Sequence, residues 1–279
     1  MKKVWQEIKN NTYTVFRRMC SIRFLTFIVM LFFFMDLFLS GYRDNVRSLG
    51  EQANILILPF LQTSKSFLKF AFLGVVYFYS NVPFMEKSEL FYISRLGKIR
   101  WSFRNVWYII VSAWIISILF LITSVVEVAA VSKVSNVWDG VIKTLSLANV
   151  PSVHFQVPYQ ILQEYKPFLL FLIIMLLNWL VIMFLGLFMY VISLYGKRIL
   201  ACILSVLIVF MPSIDILLGN VLLYYSPVSW IDCNNWRIGY EPDKPGLSYI
   251  FIAILFVNVL LMICARKRAI YMEWRTEES

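Results

Sequence analysis

Three carboxylates lie inside apolar stretches of this sequence, where a charged side chain is costly. Asp36, Glu127 and Asp215 are each surrounded by long runs of hydrophobic residues. A carboxylate within a hydrocarbon core usually faces a protein interior or a water-filled cavity, so it indicates a functional site. One hypothesis is that the three line a substrate path open to the outer side of a membrane, where they contact a cationic substrate. The alternative is that Glu127 stays hydrated near the outer headgroups, while Asp36 and Asp215 pair locally.

Other kinds of chemistry find little support in the residue types. His154 is the only histidine, which excludes a multi-histidine metal site, and the four cysteines show no C-x-x-C spacing. No G-x-x-x-x-G-K-[ST] loop is present, so the chain cannot bind ATP as P-loop ATPases do. We therefore expect no metal or cofactor in this chain, and no enzymatic activity of its own.

A dense run of charges interrupts the apolar sequence between residues 84 and 105. The stretch FMEKSELFYISRLGKIRWSFRN has acidic residues early, where a helix N-terminus favours negative charge, and basic residues later. Gly97 offers a helix end, and Trp101 is expected to anchor the chain at the headgroup level where it returns to the membrane. A short helix of this composition is suited to docking a soluble partner. The alternative is an ordinary solvated loop on the cytoplasmic side.

The composition predicts an all-α integral membrane protein. Of the 279 residues, 60% are hydrophobic and only 15% are charged, and runs of about 20 apolar residues are typical of membrane spans. The second span is the least clearly defined, because Pro59, Lys65 and Lys69 lie in it or just before it. Residues 55–61 are alternatively an outer interfacial or re-entrant segment. The sequence predicts one domain, 1–279, with six spans at Phe24–Tyr42, Phe67–Phe84, Val106–Val131, Pro167–Tyr195, Ile199–Leu218 and Leu247–Ala265.

The basic residues predict the orientation of these spans. If the N-terminus is cytoplasmic, 17 of the 26 Lys and Arg residues fall on the cytoplasmic side, as the positive-inside rule requires. Both termini are then cytoplasmic, and the large outer loops are 132–166 and 220–246. The net charge of +10 follows from this topology, so nucleic-acid binding is an unnecessary hypothesis. In the second outer loop, the run YYSPVSWIDCNNW is expected to lie in the headgroup zone, with Cys233 as a free or packed thiol.

The residues before the first span have the pattern of a basic amphipathic helix. Trp5, Ile8, Phe16 and Met19 fall near one face of a helix over residues 1–23, and most of the basic residues lie off that face. Such a helix lies in the cytoplasmic interface of a membrane. The alternative is a positive-inside flank that happens to be helical. The charged region is too long for a secretory signal, and no A-x-A-like cleavage site follows the apolar run.

The run VPFMEKSELFYISRLGKIRWSFRNVWYIIVSAW resembles the region between the second and third spans of type-2 permease subunits of ATP-binding-cassette (ABC) transporters. Bacterial members of that family show a Pro–aromatic pair, an acidic position and a Y-x-x-x-R-x-G-x-x-R-W-like run before a long third span. The six-span plan, the amphipathic N-terminal helix and the outer SPVSWID run are also similar to that family, whose N-terminal helix is called the elbow helix. The corresponding positions in the run are Pro83, Glu89, Tyr92, Arg95, Gly97, Arg100 and Trp101, with two rather than three residues between Tyr92 and Arg95.

The resemblance implies a function. In that family the inner connection is the coupling helix, which fits a cleft on the ATPase subunit. The segment 85–105 would then be the coupling segment of a permease subunit of a bacterial ABC exporter in the cytoplasmic membrane. Two separate ABC ATPase subunits would bind ATP and Mg²⁺, and a second permease, identical or related, would complete the path. The residues that the resemblance assigns to ATPase coupling are Glu86, Glu89, Tyr92, Arg95, Gly97, Arg100 and Trp101.

The resemblance also implies a substrate class. Family members move amphipathic molecules, so an antimicrobial peptide, a drug or a lipid-like molecule is expected. A hypothesis of a different class is a non-transporting membrane anchor or sensor partner that recruits a cytoplasmic protein through the same basic loop.

Overall fold

A computed structural model describes residues 12, 15–16, 18–84, 93–95, 97–148, 150–214, 221–239 and 243–271 of the chain. Most of these residues are helical, and the two short strands are β1 (Ala53–Asn54) and β2 (Ser132–Lys133). The α-helices with defined bounds are α1 (Ile22–Leu49), α2 (Leu58–Leu61), α3 (Lys65–Tyr79), α4 (Lys98–Val128), α5 (Gly140–Leu147), α6 (Tyr159–Glu164), α7 (Pro167–Ser193), α8 (Arg198–Ile214) and α9 (Leu247–Tyr271).

Four of the described helices are long and apolar enough to cross a membrane. They are α1, α4 with its 3₁₀ extension to Val131, α7 and α9. The chain is therefore an all-α membrane protein, as the composition predicts. Helices α3 and α8 have 15 and 17 residues, or about 22 and 26 Å at 1.5 Å per residue. They are short for a hydrocarbon core of about 30 Å, so a total of six spans stays a prediction.

Helix α7 is the central helix of the bundle. It is apolar on all sides and packs against α3, α4, α8 and α9, while α1 packs against α3 and α4. Polar side chains join the helices inside this apolar core. Asn258 of α9 donates a hydrogen bond to the Leu180 carbonyl of α7 (3.2 Å), and Ser117 of α4 donates one to the Met175 carbonyl (2.9 Å). In apolar surroundings such bonds select which helix faces meet.

Two helices extend beyond the ends of the predicted spans. Helix α1 continues past Tyr42 to Leu49, and α4 begins at Lys98 rather than Val106. Hydropathy marks only the apolar part of a helix, whereas hydrogen bonding continues until a residue interrupts it. Gly50 (φ 66°) and Gly97 (φ 83°) provide these interruptions, because glycine adopts positive φ without strain. The last eight residues of the predicted coupling segment therefore belong to α4.

Three connections pack together at one end of the bundle, and we call the described residues of 50–64, 132–166 and 221–246 the cap. Strands β1 and β2 pair in parallel, with Ala53 opposite Ser132 and Asn54 opposite Lys133. Trp138 is 5% exposed and donates its indole N–H to the Tyr165 carbonyl (2.8 Å). The cap therefore has an apolar core of its own that continues into the helix bundle.

The aromatic run in the third connection is buried rather than interfacial. Trp230 and Trp236 are 3% and 1% exposed, so the prediction of a headgroup location is wrong for both. Their indole N–H groups donate to the carbonyls of Leu223 (2.7 Å) and Trp230 (2.8 Å), which satisfies the polar end of each ring inside the protein. Cys233 is a buried free thiol, as predicted.

Residues 55–64 fold back into the bundle before α3 begins. All four residues of α2 are buried, and the side-chain amides of Gln62 and Asn178 exchange two hydrogen bonds of 2.9 and 3.2 Å. Asn178 lies eleven residues after Pro167, about 16 Å along α7. The sequence left open whether residues 55–61 belong to the second span or form a separate interfacial or re-entrant segment. Helix α2 is a segment that re-enters the bundle, and α3 is a separate helix that begins at Lys65.

Candidate functional site

The segment predicted to contact an ATPase is described in part. Three of its predicted residues lie outside the described residues: Glu86, Glu89 and Tyr92. Residues 93–95 are helical, and the backbone N–H of Gly97 donates to the carbonyl of Ile93 (2.9 Å). Arg95, Gly97 and Arg100 are all exposed. The two arginines are therefore accessible to a soluble partner.

Trp101 does not belong to this exposed surface. Its side chain is fully buried, with its ring centre 6.2 Å from that of Tyr190 in α7. The prediction that it anchors the chain at the headgroups is therefore wrong. The reason is that the first turns of α4 pack against α7 and α9, so that neighbouring Ser102 is buried too and accepts a hydrogen bond from the Tyr190 hydroxyl (3.3 Å).

The N-terminal segment contacts the last residue of the 85–105 segment and the residue that precedes that segment. Arg18 donates a hydrogen bond to the side-chain carbonyl of Asn105 (3.0 Å), and its guanidinium carbon lies 5.6 Å from the centre of the Phe84 ring. Met19 is buried, whereas Phe16 is 58% exposed. An interfacial elbow helix stays a prediction. Two of its four predicted residues lie outside the described part of the chain: Trp5 and Ile8.

Two of the three intramembrane carboxylates share one arginine, and we call Asp36, Arg43 and Glu127 the charge triad. Arg43 of α1 forms ion pairs with Asp36, two turns earlier on the same helix, and with Glu127 of α4, where Nη1 and Oε2 are 2.6 Å apart. Helical side chains point towards the N-terminus, which lets Arg43 reach a residue seven positions earlier. The Arg43 guanidinium also donates to the Glu127 backbone carbonyl (3.4 Å). The triad thereby links α1 to α4. Asp215 lies outside the described residues.

The triad corresponds to the local-pairing alternative for Asp36, with a partner that the sequence reasoning missed. Arg43 and Glu127 are only 20% and 14% exposed, and pairing reduces the cost of placing their charges in apolar surroundings. The sequence contained one sign of this pair, namely the seven-residue spacing of Asp36 and Arg43. The predicted span ended at Tyr42, so Arg43 was not considered as part of that helix. A role for Asp36, Glu127 and Asp215 in a substrate path stays a prediction.

A polar cavity of about 470 Å³ lies in the cap at the N-terminus of α3. The Thr63 hydroxyl accepts a hydrogen bond from the Gln156 N–H (2.8 Å) and holds the first two connections together. The Asn234 side chain donates to that of Gln156 (3.4 Å) and joins the third. All three connections therefore contribute polar side chains to the lining, among them Thr63, His154, Gln156, Asp232 and Asn234, and α3 adds Lys65 and Ser66.

Asp232 is the buried acid of this cavity. It is 2% exposed and accepts a hydrogen bond from the Asn234 N–H (2.9 Å). Burial raises the pKa of Asp232 to about 7, although that hydrogen bond and the positive charges of Lys65 and Lys244 oppose the rise. The carboxyl group therefore titrates near neutral pH.

This pKa predicts that the chain loses stability as the pH rises from about 4 to about 7. An unfolded aspartate has a pKa of about 3.9, so in this window the folded chain holds a proton that the unfolded chain has released. At 1.36 kcal/mol per pH unit, the loss is about 4 kcal/mol. We expect the apparent melting temperature to be lower at pH 8 than at pH 5.5. Asp232→Asn keeps the acceptor for Asn234 and should reduce this difference; an unchanged pH dependence in that variant would contradict the assignment.

Compared with protein-family models, with curated proteins and with solved structures, the chain matches none of them. Its function is therefore inferred from its own residues.

Proposed function

We propose that the chain is the membrane-spanning subunit of an ATP-driven exporter of the type-2 ABC class, which works with separate ATPase subunits. The observation that carries the proposal is the connection between α3 and α4. It presents Arg95 and Arg100 on the surface, while the adjoining turn of α4 is buried through Trp101 against α7. A coupling segment needs both properties, because it must contact a soluble partner and move a helix of the bundle.

The contacts of α4 support transmission through the bundle. Helix α4 packs against α1, α7 and α9, so a displacement at residues 93–100 reaches three other long helices. Interiors packed at protein density transmit such displacements with little compression. The charge triad adds a polar link between the far end of α4 and α1. Nucleotide-driven motion on one face would then reach the cap.

The proposal also includes the orientation and the remaining spans. In this proposal α3 and α8 are two of six spans, and both termini lie in the cytoplasm. The cap would then face outward, with its polar cavity on the exit side of the cytoplasmic membrane. A second permease copy or relative would form the other half of the path, and the cargo would be amphipathic.

Recovery of partners from native membranes tests this function. Affinity purification of the full-length chain should recover an ABC ATPase with Walker motifs in amounts comparable to the chain itself, together with a second permease subunit. Recovery of a sensor kinase or another soluble protein, with no ATPase, would contradict the exporter and favour the membrane anchor or sensor partner.

Reversing two charges in the coupling segment should separate ATP hydrolysis from transport. The double variant Glu89→Lys, Arg95→Glu changes the surface proposed to bind the ATPase, so we expect at least a tenfold loss of transport per ATP hydrolysed or loss of the ATPase on purification. Lys143→Glu, an exposed lysine of the cap, is the matched control and should have no effect. The assignment fails if the double variant assembles and transports normally.

A further inference from the structure

Lys69 lies one helical turn into α3, and its side chain is partly exposed. Its ammonium group is 5.8 Å from the centre of the Phe210 ring of α8, and Phe210 lies twelve residues after Arg198. The next residue, Phe70, stacks on Phe34 of α1 with ring centres 4.6 Å apart. Phe34 lies twelve residues after Ile22. The rings beside Lys69 therefore lie about 18 Å along α1 and α8 from the first residue of each helix.

Among the described residues, no acid lies beside Lys69 to balance its charge. In the described part of the chain, no carboxylate lies within ion-pair distance of Lys69, and the ion pairs found there involve Arg43 and Arg47. An unpaired lysine in apolar surroundings is costly, up to about 2.5–3.5 kcal/mol at the centre of a spanning helix in insertion experiments. Lys65, about 6 Å earlier on α3, lines the polar cavity, so the long side chain of Lys69 can extend towards that cavity. Its ammonium group is therefore within reach of water or of an anionic ligand held there.

Lys65 places a second positive charge at the polar cavity. It lies one helical turn before Lys69, on the same face of α3, and it lines the cavity together with Ser66 and His154. Asp232 faces it from the third connection, close enough to interact electrostatically. The cavity is thus continuous, through Lys65, with the face of α3 that carries Lys69.

The face of α3 beyond Lys69 is apolar and partly exposed. Leu73 continues the column of residues 65 and 69, and Phe70 and Tyr77 beside it are 43% and 40% exposed. Two cations are thus followed by apolar and aromatic surface on one face of a helix. An amphiphile with an anionic headgroup matches this order, because its head can lie between the two ammonium groups while its chain covers the aromatic surface.

We propose that Lys65 and Lys69 bind the anionic headgroup, a phosphate or carboxylate, of an amphipathic ligand. This site deepens the proposed function by naming the charge of the exported substrate, and it rests on that function for its biological role. The proposed charge of the ligand is negative, whereas the three carboxylates predicted a cationic substrate. The difference arises because Asp36 and Glu127 already share Arg43, whereas Lys69 has no acidic partner among the described residues.

Binding of a defined amphiphile to the full-length chain in phosphatidylcholine nanodiscs tests the site. Radiolabelled dodecyl phosphate should bind saturably, and inorganic phosphate and dodecyltrimethylammonium should each bind at least tenfold more weakly. Lys69→Gln should weaken dodecyl phosphate binding at least tenfold, and Lys69→Arg should retain it within about threefold. Lys143→Gln, an exposed cap lysine away from this face, should bind as the wild type does.

Several results would overturn the proposal. They are equal binding by wild type and Lys69→Gln, tighter binding of the cationic amphiphile, and equal binding of inorganic phosphate. If Lys69→Gln does not assemble but the charge swap Lys69→Asp, Asp215→Lys restores assembly, Lys69 is a structural ion-pair partner and the site is wrong.

A further measurement distinguishes the source of the headgroup. Repeating the titration in nanodiscs that contain phosphatidylglycerol separates two supporting outcomes. Competition identifies an anionic lipid of the bilayer as the occupant, and unchanged binding identifies another amphiphile. The assay contains no ATPase, so a failure to bind dodecyl phosphate would leave the exporter proposal intact. Conversely, a failure to recover an ATPase from membranes would leave any measured binding intact.

Discussion

Replacing Arg43 with glutamine is expected to lower the free energy of unfolding by about 3 kcal/mol, because Glu127 would become a mostly buried carboxylate without a cation. Glu127 is 14% exposed, and its Oε2 lies 2.6 Å from the guanidinium. Asp36 contributes less to this loss, since its side chain is 57% exposed. The measurement is the apparent melting temperature of the purified full-length chain in detergent.

The matched control removes all three charges together. In the triple variant Asp36→Asn, Arg43→Gln, Glu127→Gln, no unpaired charge is left, so most of the lost stability should return. Asp36→Asn alone should change the melting temperature little. A single Arg43→Gln variant as stable as the wild type would mean that water, rather than Arg43, compensates the Glu127 charge.

Gly41→Ala is expected to separate part of the cap from α1. A Cβ at position 41 would overlap the backbone carbonyl oxygen of Ser152. Because the obstacle is backbone rather than the end of a flexible side chain, the loop at 150–153 must move, and overpacking of this kind costs about 1–3 kcal/mol or more. The neighbouring contact between the Tyr42 and Phe155 rings, 5.5 Å between centres, should be lost with it.

Hydrogen exchange measures this separation directly. Amides of residues 150–157 should exchange at least tenfold faster in Gly41→Ala, while the core of α7 keeps its protection. Gly246→Ala is the matched control, because nothing lies within 4 Å of a Cβ at that position. If residues 150–157 keep wild-type protection in Gly41→Ala, α1 does not support the cap at this point.

The amino-acid sequence by itself determined the class of protein and the position of the long helices. In a hydrocarbon core every backbone N–H and C=O group must be paired within the protein, so runs of about 20 apolar residues can only be helices. The predicted spans Phe24–Tyr42 and Val106–Val131 accordingly lie within the long helices that begin at Ile22 and Lys98. Arg95 and Arg100 of the basic segment are also exposed, as expected of charged side chains outside the apolar runs.

Only the tertiary structure decided where the polar side chains meet. Arg43 and Glu127 are 84 positions apart, and Gln62 and Asn178 are 116 positions apart, so no local sequence pattern predicts either pair. The same holds for Trp101, Trp230 and Trp236, whose rings suit a headgroup zone by composition but are covered by segments far away in the chain. Hydropathy measures how much apolar surface a residue has, whereas packing decides what covers it.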